Sequence, residues 1–430
     1  VGQGCFATGF VATQNNERWN YVDDCAANGL KLLKSRIQDY ATTTSHVNAL
    51  FISHLDNDNV NGLNELFGLV KIKTVYLPYL NPIHKLINLI KDDANDPPSD
   101  SLIEAQFDSE NWLGERGVDQ LVLVQNEGDD EEGEYILPDG SDKPDPEDTN
   151  VDYSGIKSHD YEATDTDQEH KQRPRRFLMR TGGAIFFPKG KGRKWMLQPY
   201  VPRTDPKLVL DFKKAALEAF GISKEEHLTV EIIKKKFKEK GFRETLQKSY
   251  NVIDSHHNNI SMSLYSGQSN DNSFWRSYLT QKDYSSGFTE LSILSLNRPG
   301  WIASGDTHFT SATMRDKVKF EAHRNSWIKF YEKALKRTIT MLLPHHGAAT
   351  SWHCDLYKSS KAKIFVASAD KSYKKLSHPS DSVVAELINA RKIVITVGKD
   401  DQSHFTEITH EMHSPAAHQR LILEDMMNDD

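Results

Sequence analysis

The chain has 430 residues, of which 37% are hydrophobic, enough for one large domain or two ordinary ones. No apolar run approaches the roughly 20 residues of a membrane span, and the three cysteines form neither a CxxC motif nor a disulfide pattern, so we expect a cytoplasmic protein with no membrane span. The net charge of −8 is unevenly distributed: residues 127–169 carry 17 acidic and 2 basic residues, whereas residues 171–194 carry 9 basic residues and no acidic one. Outside its acidic segment the chain is therefore basic, which suits a polyanionic partner such as nucleic acid.

Predicted strands and helices alternate in the first part of the chain. Apolar runs predict strands at residues 6–13, 19–22, 49–53, 72–77 and 121–124, and helical periodicity predicts helices at residues 29–40, 63–70 and 101–115. Residues 127–176 are acidic, poor in large apolar side chains and interrupted by Pro and Gly, which predicts a long loop or a disordered insertion.

After this segment the same alternation returns. The pattern predicts strands at residues 195–201, 260–265, 291–296, 301–304, 338–343, 364–367 and 393–397, and helices within 206–249 and at 320–336 and 380–390. Strands with helices between them indicate an α/β (α+β) fold in which sheets pack together with helices outside. We divide the chain into a first half at 1–125, an insertion at 126–250 (acidic loop 127–169, basic segment 171–194, helices 206–249), a second half at 251–415 and a tail at 416–430.

The most informative segment is the decapeptide at residues 53–62, Ser-His-Leu-Asp-Asn-Asp-Asn-Val-Asn-Gly, which directly follows the predicted strand at 49–53. His54, Asp56 and Asp58 are spaced two residues apart just beyond the end of that strand. Imidazole and carboxylate groups at this spacing are typical ligands of Zn²⁺ or Mn²⁺. An Asn/Asp-rich turn with a solvated histidine is the alternative for this segment taken alone.

The same pattern, a polar residue just beyond an apolar strand, occurs at four other positions. They are Asp24, Asp306, the pair His345 and His346, and His378. Ligands delivered from several strand ends can converge on one edge of a sheet, which a metal site needs because no single turn can surround an ion.

The order of these motifs resembles the metallo-β-lactamase superfamily, and most closely the domain of that type in bacterial DNA-uptake channel proteins. The opening segment 1–4, the metal loop 53–62 and the His-His-Gly at 345–347 match that pattern. So do Asn259 and Ser261, Gly305 and Asp306, and His378 before Pro379. The resemblance covers residues 1–80 and 255–400, and does not cover 90–250.

This resemblance implies a four-layer αββα sandwich with a metal site at one edge of the sheets and hydrolysis by metal-activated water. It implies one or two ions, Zn or Mn, with metal ligands at His54, Asp56, Asp58, Asn59, Asp306, His345 and His346. By the same analogy, Asp58, Asp306 and His346 are the catalytic residues, and Asn259, Ser261 and His378 contact the substrate.

The chain departs from the family pattern at two points. Asn59 stands where the family has His, and an amide oxygen is a poorer zinc ligand than imidazole, so the second ion is in question. The mid-chain histidine of many members has no clear counterpart, although His256 or His257 could fill that role. A one-metal site and a degenerate, non-catalytic site both remain open.

The sequence favours a phosphodiester substrate, which makes a nuclease or phosphodiesterase acting on DNA or nucleotides the leading hypothesis. The basic segment could grip phosphates through Arg175, Arg176, Lys191 and Arg193. A hydrolase of a small ester, lactone or cyclic nucleotide is one alternative, and a non-catalytic module that binds a partner protein is another. By analogy alone, the chain could also be the effector of a bacterial multi-protein defence system, and the acidic loop could act as a nucleic-acid mimic over the active site.

Overall fold

The computed structural model describes residues 5–12, 17–26, 30–91, 98–127, 151–158, 173–189, 193–203, 206–253, 261–270, 274–283, 287–291, 299–310, 317–369, 378–398 and 404–412. The strands are β1 (Phe6–Ala12), β2 (Arg18–Cys25), β3 (His46–Phe51), β4 (Lys71–Pro78), β5 (Gln120–Val124), β6 (Asp152–Ser158), β7 (Arg175–Phe187), β8 (Trp195–Tyr200), β9 (Ser263–Gln268), β10 (Phe274–Asp283), β11 (Gly287–Leu291), β12 (Gly300–Ala303), β13 (Thr340–Leu342), β14 (Ile364–Ser368), β15 (Ile393–Val397) and β16 (His404–Met412). The helices are α1 (Leu30–Thr43), α2 (Asn57–Leu69), α3 (Pro82–Lys91), α4 (Asp100–Phe107), α5 (Ser109–Gly114), α6 (Pro206–Phe220), α7 (Val230–Phe237), α8 (Phe242–Ile253), α9 (Lys317–Phe330), α10 (Glu332–Leu335), α11 (Asp355–Ser359) and α12 (Asp381–Asn389).

Most of the described strands belong to one large mixed sheet flanked by helices. Its order is β1-β2-β3-β4-β5-β7-β8-β9-β12-β13-β14-β15, and β6 pairs with β7. Strands β2 to β5 are parallel, as are β12 to β15. Their apolar runs are mostly buried, as expected for parallel strands covered on both faces, except in the edge strand β15, where only Ile395 is buried.

Strand β7 joins the two halves of this sheet. Residues 175–179 pair in parallel with β5, whereas residues 185–187 pair antiparallel with β8. Gly182, with a φ of 84°, lies between the two stretches, in a conformation that favours glycine. We call β1–β5 the first half-sheet and β8, β9 and β12–β15 the second.

The described residues form four hydrophobic cores, of which the smallest contains Ile339, Ile364, Val366 and Ile395. The other three show how helices and half-sheets pack. Helices α1–α8 pack against the first half-sheet, as shown by Leu33 of α1 and Leu63 of α2 in one core with Leu50 of β3. Helices α9–α12 pack against the second half-sheet, where Trp327 of α9 shares a core with Phe365 of β14. A third core contains residues of both half-sheets, namely Tyr21, Phe51, Tyr76, Leu197 and Leu264.

Residues 126–250 contribute to the body of the protein. Strands β7 and β8 lie in the middle of the large sheet, and Phe212, Ile233 and Leu246 of α6–α8 belong to the core of the first half-sheet. The prediction of a long loop at 127–176 is wrong for β6 and for the start of β7. Val151 and Tyr153 are buried two residues apart, and Ile156 is buried beyond a register shift in β6. The acidic composition and this break in the alternation obscured the strand signal.

Other elements are not predicted from the sequence. They include most of β7, the apolar helix α3, and strands β10 and β16. The predicted strand at 291–296 falls mostly outside the described residues. Strands β11, β10 and β16 form a separate three-stranded sheet in that order. Among the described residues, no helix is long and apolar enough to cross a membrane.

Candidate metal centre

The first half-sheet brings Asp24 and His54 to the same edge. Asp23 of β2 is in register with Phe51 of β3, so Asp24, near the end of β2, lies beside the residues that follow β3. The Asp24 carboxylate accepts the backbone N–H of Ser53 at 2.7 Å, and Ser53 Oγ lies 2.9 Å from His54 Nδ1. The loop before α2 is therefore fixed to the end of β2.

Asp56 both caps helix α2 and contacts His54. Its Oδ1 accepts the backbone N–H of Asn59 at 2.7 Å, as expected of an aspartate at an N-cap. Its Oδ2 lies 3.3 Å from His54 Nε2. Asp58 lies in the first turn of the same helix, and Asn59 is buried.

The second half-sheet delivers Asp306 to the same place. Asp306 follows β12 after Gly305, and its backbone N–H donates to Ser261 Oγ at 3.1 Å. A Cβ at Gly305 would lie 2.3 Å from Ser261 Oγ and 3.0 Å from Ser53 Cβ, so this turn requires glycine. Asp306 Oδ2 lies 3.8 Å from His54 Nε2, which links the two half-sheets at the site.

His345 and His346 lie in a short 3₁₀ turn, residues 344–347, just after β13. Both residues have left-handed backbone conformations, with φ values of 46° and 58°. The backbone N–H of His345 donates to the Gly305 carbonyl at 3.1 Å, which holds this turn against the Asp306 turn.

His378 approaches from the loop after β14. Its ring centroid lies 6.0 Å from that of His345. The contact depends on Gly347, where a Cβ would lie 2.7 Å from Pro379 Cβ, and on the Ser380 N–H, which donates to the Gly347 carbonyl at 3.0 Å.

The electrostatics centre on Asp306. Burial raises the pKa of its carboxyl, but His345, His54, His346 and His308 outweigh burial and hold that pKa below its usual range. Burial lowers the pKa of His54, yet Asp56, Asp306 and Asp24 raise it to about 10. The pKa of His346 is lowered to about 4, chiefly by burial, so its ring is neutral at pH 7.

His308 is a residue of this cluster that the sequence does not predict. Its ring centroid lies 5.3 Å from that of His345, and its Nδ1 lies 3.2 Å from Ser351 Oγ. His308 follows Asp306 by only two positions, but it does not directly follow an apolar strand. The pattern that predicts the other candidate ligands therefore does not predict His308. The only available signal is its closeness to Asp306 in the sequence.

The residues present suit a divalent metal. Three side-chain atoms of the cluster, Asn59 Oδ1, His345 Nδ1 and His378 Nδ1, are among the buried atoms of the described residues that have no hydrogen-bond partner. In proteins generally most buried polar atoms are paired. Imidazole and carboxylate groups are the donors that Zn²⁺ and Mn²⁺ use. However, no three acidic, histidine or cysteine ligand atoms of this cluster lie within 4.8 Å of one another, so ion binding would require the side chains to draw closer.

The predicted phosphate-binding arginines lie elsewhere. Arg176 contacts Glu110 at 3.3 Å and lies three strands from β3, about 14 Å at the usual strand spacing. Arg175 is exposed on the same strand. Arg193 pairs with Asp152 near the end of β9 remote from Ser261, about 17 Å along that strand.

The structure thus brings together most of the predicted ligands with the predicted substrate contacts Ser261 and His378. It does not bring Arg175, Arg176 and Arg193 to them, because strand pairing fixes these arginines at other parts of the sheet. Asn259, Lys191, His256 and His257 lie outside the described residues.

No protein-family model matches this chain, and a search of characterised proteins finds no significant match.

Proposed function

We propose that the protein is a metal-dependent hydrolase of the metallo-β-lactamase type that acts on phosphodiesters. The observation that carries the proposal is the arrangement around Asp306. Four histidines from three loops face this half-buried carboxylate, and three buried side-chain atoms of the cluster have no hydrogen-bond partner. Burying so many unpaired polar atoms is costly unless a ligand completes the site.

The three cores support the fold that this class requires. A core shared by both half-sheets, with a helix-covered core outside each, is the order of layers in an αββα sandwich. The candidate centre lies where loops from both half-sheets meet, which is where a site between two sheets would be expected.

His54, Asp56, Asp306, His345 and His346 are the residues that would hold the metal, with Asp58 and Asn59 beside them. A bound divalent cation would supply a Lewis acid that activates water and stabilises negative charge on the substrate. The protein's own contribution is to fix the ligands: Asp24 holds the Ser53 backbone, and Ser261 holds the Asp306 backbone. Hydrogen bonds of this kind orient the ligands and tune their affinity for a metal.

The imbalance of charge supports an anionic substrate. The chain outside residues 127–169 is basic. A basic body favours a substrate that carries negative charge, as a phosphodiester does, and a bound divalent cation would add positive charge at the site itself. Because the predicted arginines lie away from the cluster, the proposal rests on recognition of the phosphodiester itself and not on a basic groove.

The test compares the parent protein with His54→Ala, Asp306→Asn and the exposed control His410→Ala, each in Mn²⁺, Zn²⁺ or Mg²⁺. Substrates are single-stranded DNA, bis(p-nitrophenyl) phosphate and p-nitrophenyl acetate. We expect the two site variants to lose phosphodiester hydrolysis by at least about a hundredfold, and the control to keep it.

The outcomes separate the alternatives. Equal activity in parent and site variants would overturn the proposal. Hydrolysis of the acetate ester alone would assign the site to small esters. Steep loss of DNA cleavage with salt, absent for the small phosphodiester, would show a polynucleotide contact beyond the cluster.

A further inference from the structure

A second group of metal-ligating side chains lies outside the candidate centre, at the start of α11. His353, Cys354 and Asp355 each offer a ligand atom, and these atoms lie within 4.8 Å of one another. Within the described part of the chain, no other three His, Cys, Asp or Glu residues meet this spacing. The group is neither fully buried nor fully exposed, so an ion could reach it from solvent.

The His353 and Cys354 donor atoms each lie close to the Asp355 carboxylate. His353 Nδ1 lies 3.2 Å from Asp355 Oδ2, and Cys354 Sγ lies 3.8 Å from Asp355 Oδ1, so a rotation of the carboxylate brings one oxygen near both donors. Zinc bonds to nitrogen and oxygen of about 2.0–2.2 Å and to sulfur of about 2.3 Å place tetrahedral ligands about 3.3–3.8 Å apart.

The hydrogen bonding of His353 also suits a metal. His353 Nδ1 accepts the backbone N–H of Asp355 at 3.2 Å, so this nitrogen carries no proton. An imidazole nitrogen without a proton is the one that binds zinc.

Two cations compete with a metal here. Arg324 Nε donates to Asp355 Oδ2 at 2.9 Å, and Lys358 Nζ donates to Cys354 Sγ at 3.2 Å. Arg324 leaves Asp355 Oδ1 to bind an ion. Lys358 is exposed and can turn away into solvent.

We propose that His353, Cys354 and Asp355 form a second metal site, selective for a thiophilic divalent cation such as Zn²⁺ and separate from the cluster around Asp306. Three protein ligands leave one position for water, which is the composition of an open site. Binding converts the Cys354 thiol to thiolate and releases its proton to solvent. This site does not depend on the function proposed above.

Titration of the full-length protein with Co²⁺ under reducing conditions tests the site. Cobalt bound to a thiolate gives a sulfur-to-metal charge-transfer absorption, which imidazole and carboxylate ligands do not give. The chain has three cysteines, so the band can be assigned by substitution. We expect it in the parent and in Cys5→Ser, and expect Cys354→Ser to lose it.

Two further variants sharpen the result. Lys358→Met removes the competing ammonium and should bind Zn²⁺ about fivefold more tightly, the scale of a surface ion pair. Asp306→Asn should keep the band, which separates this site from the candidate centre. No band in the parent, or an unchanged band in a folded Cys354→Ser protein, would overturn the proposal.

Discussion

At the scale of single residues, backbone strain is concentrated at the candidate centre. Among the described residues, four that are not glycine have positive φ, and three of them, Asp24, His345 and His346, belong to the cluster. The left-handed conformation costs about 1 kcal/mol or more for such residues and persists where surrounding contacts enforce it. Here the Ser53 and Gly305 contacts enforce it, which favours a functional role over a loose polar turn.

His308 provides a prediction at this scale. Replacing it with Ala removes an imidazole ring next to both Asp306 and His345. We therefore expect His308→Ala to weaken metal affinity about tenfold, the usual effect of losing a residue that supports the ligands. Competition with a chromophoric chelator measures that affinity. His410→Ala, on the exposed face of β16, is the control. Equal affinities in the two variants would assign His308 a purely structural role.

Much of the candidate centre is predictable from the sequence because its ligands follow apolar strands. His54, Asp306, His345 and His378 all have this signal, and the structure gathers them. His308 has no such signal, because residues 350 and 351 fold back onto it from a distant part of the chain. The prediction that Arg175, Arg176 and Arg193 bind phosphate rests on charge alone. Charge does not reveal that β7 lies in the middle of the sheet.

At the scale of elements, a single glycine allows helix α2 to pack closely against strand β2. A Cβ at Gly62 would lie 2.0 Å from the Cys25 carbonyl oxygen at the end of β2, so the helix can approach this strand only without a side chain there. The same contact keeps Asp56 and Asn59 next to Asp24. The sequence predicts the helix from its apolar spacing but cannot show how closely its backbone approaches β2.

Two glycines of α2 therefore form a matched pair of substitutions. Gly62→Ala should lower the free energy of unfolding by about 1–3 kcal/mol, because the new methyl group forces the helix away from the strand. Gly68→Ala meets nothing within 4 Å and should be neutral or raise that free energy by about 0.5–1 kcal/mol, through helix propensity. Urea denaturation measures both. Similar values for the two variants would contradict the close approach.

The three-stranded sheet supplies a prediction of pH dependence. Glu407 of β16 accepts a hydrogen bond from Thr340 of β13 at 2.7 Å, and burial raises the pKa of Glu407 from 4.5 to about 7. A carboxyl whose pKa is raised on folding stabilises the protein fully below about pH 4.5, and this contribution is lost as pH rises through 7. We expect the parent to lose roughly 2 kcal/mol relative to Glu407→Gln across this range.

Equilibrium unfolding between pH 4.5 and 8 measures that difference. Glu411→Gln, which breaks a surface ion pair with Lys194, is the control, and its pH profile should follow that of the parent. If Glu407→Gln also followed the parent, the carboxyl would titrate normally in the folded protein.

At the scale of the whole molecule, polar contacts connect the two half-sheets. The Tyr21 hydroxyl bonds to Ser266 Oγ at 3.0 Å and accepts the Trp301 indole N–H at 3.1 Å, all within the shared core. Next to the site, the Met262 backbone N–H donates to the Ser53 carbonyl at 2.8 Å. Contacts between residues far apart in the sequence produce no periodic pattern. The strands can therefore be predicted from the sequence, but the packing of the two half-sheets against each other cannot.

A metal at the candidate centre would reinforce this connection, because its ligands come from both half-sheets. An ion that binds only the folded state stabilises it by about 2.7 kcal/mol at a concentration one hundred times its Kd. Chelation with EDTA should therefore lower the Tm of the parent, and added Zn²⁺ or Mn²⁺ should restore it. Asp306→Asn should show almost no response to Mn²⁺, because it lacks the carboxylate on which the histidines converge, although Zn²⁺ can still bind it at residues 353–355. Cys354→Ser should respond to Mn²⁺ as the parent does, since its substitution lies at the other proposed site.

The Mn²⁺ result decides whether the metal joins the half-sheets. An equal Tm shift with Mn²⁺ in the parent and Asp306→Asn would mean that the stabilising ion binds elsewhere, and no shift in the parent would count against a metal that joins the half-sheets.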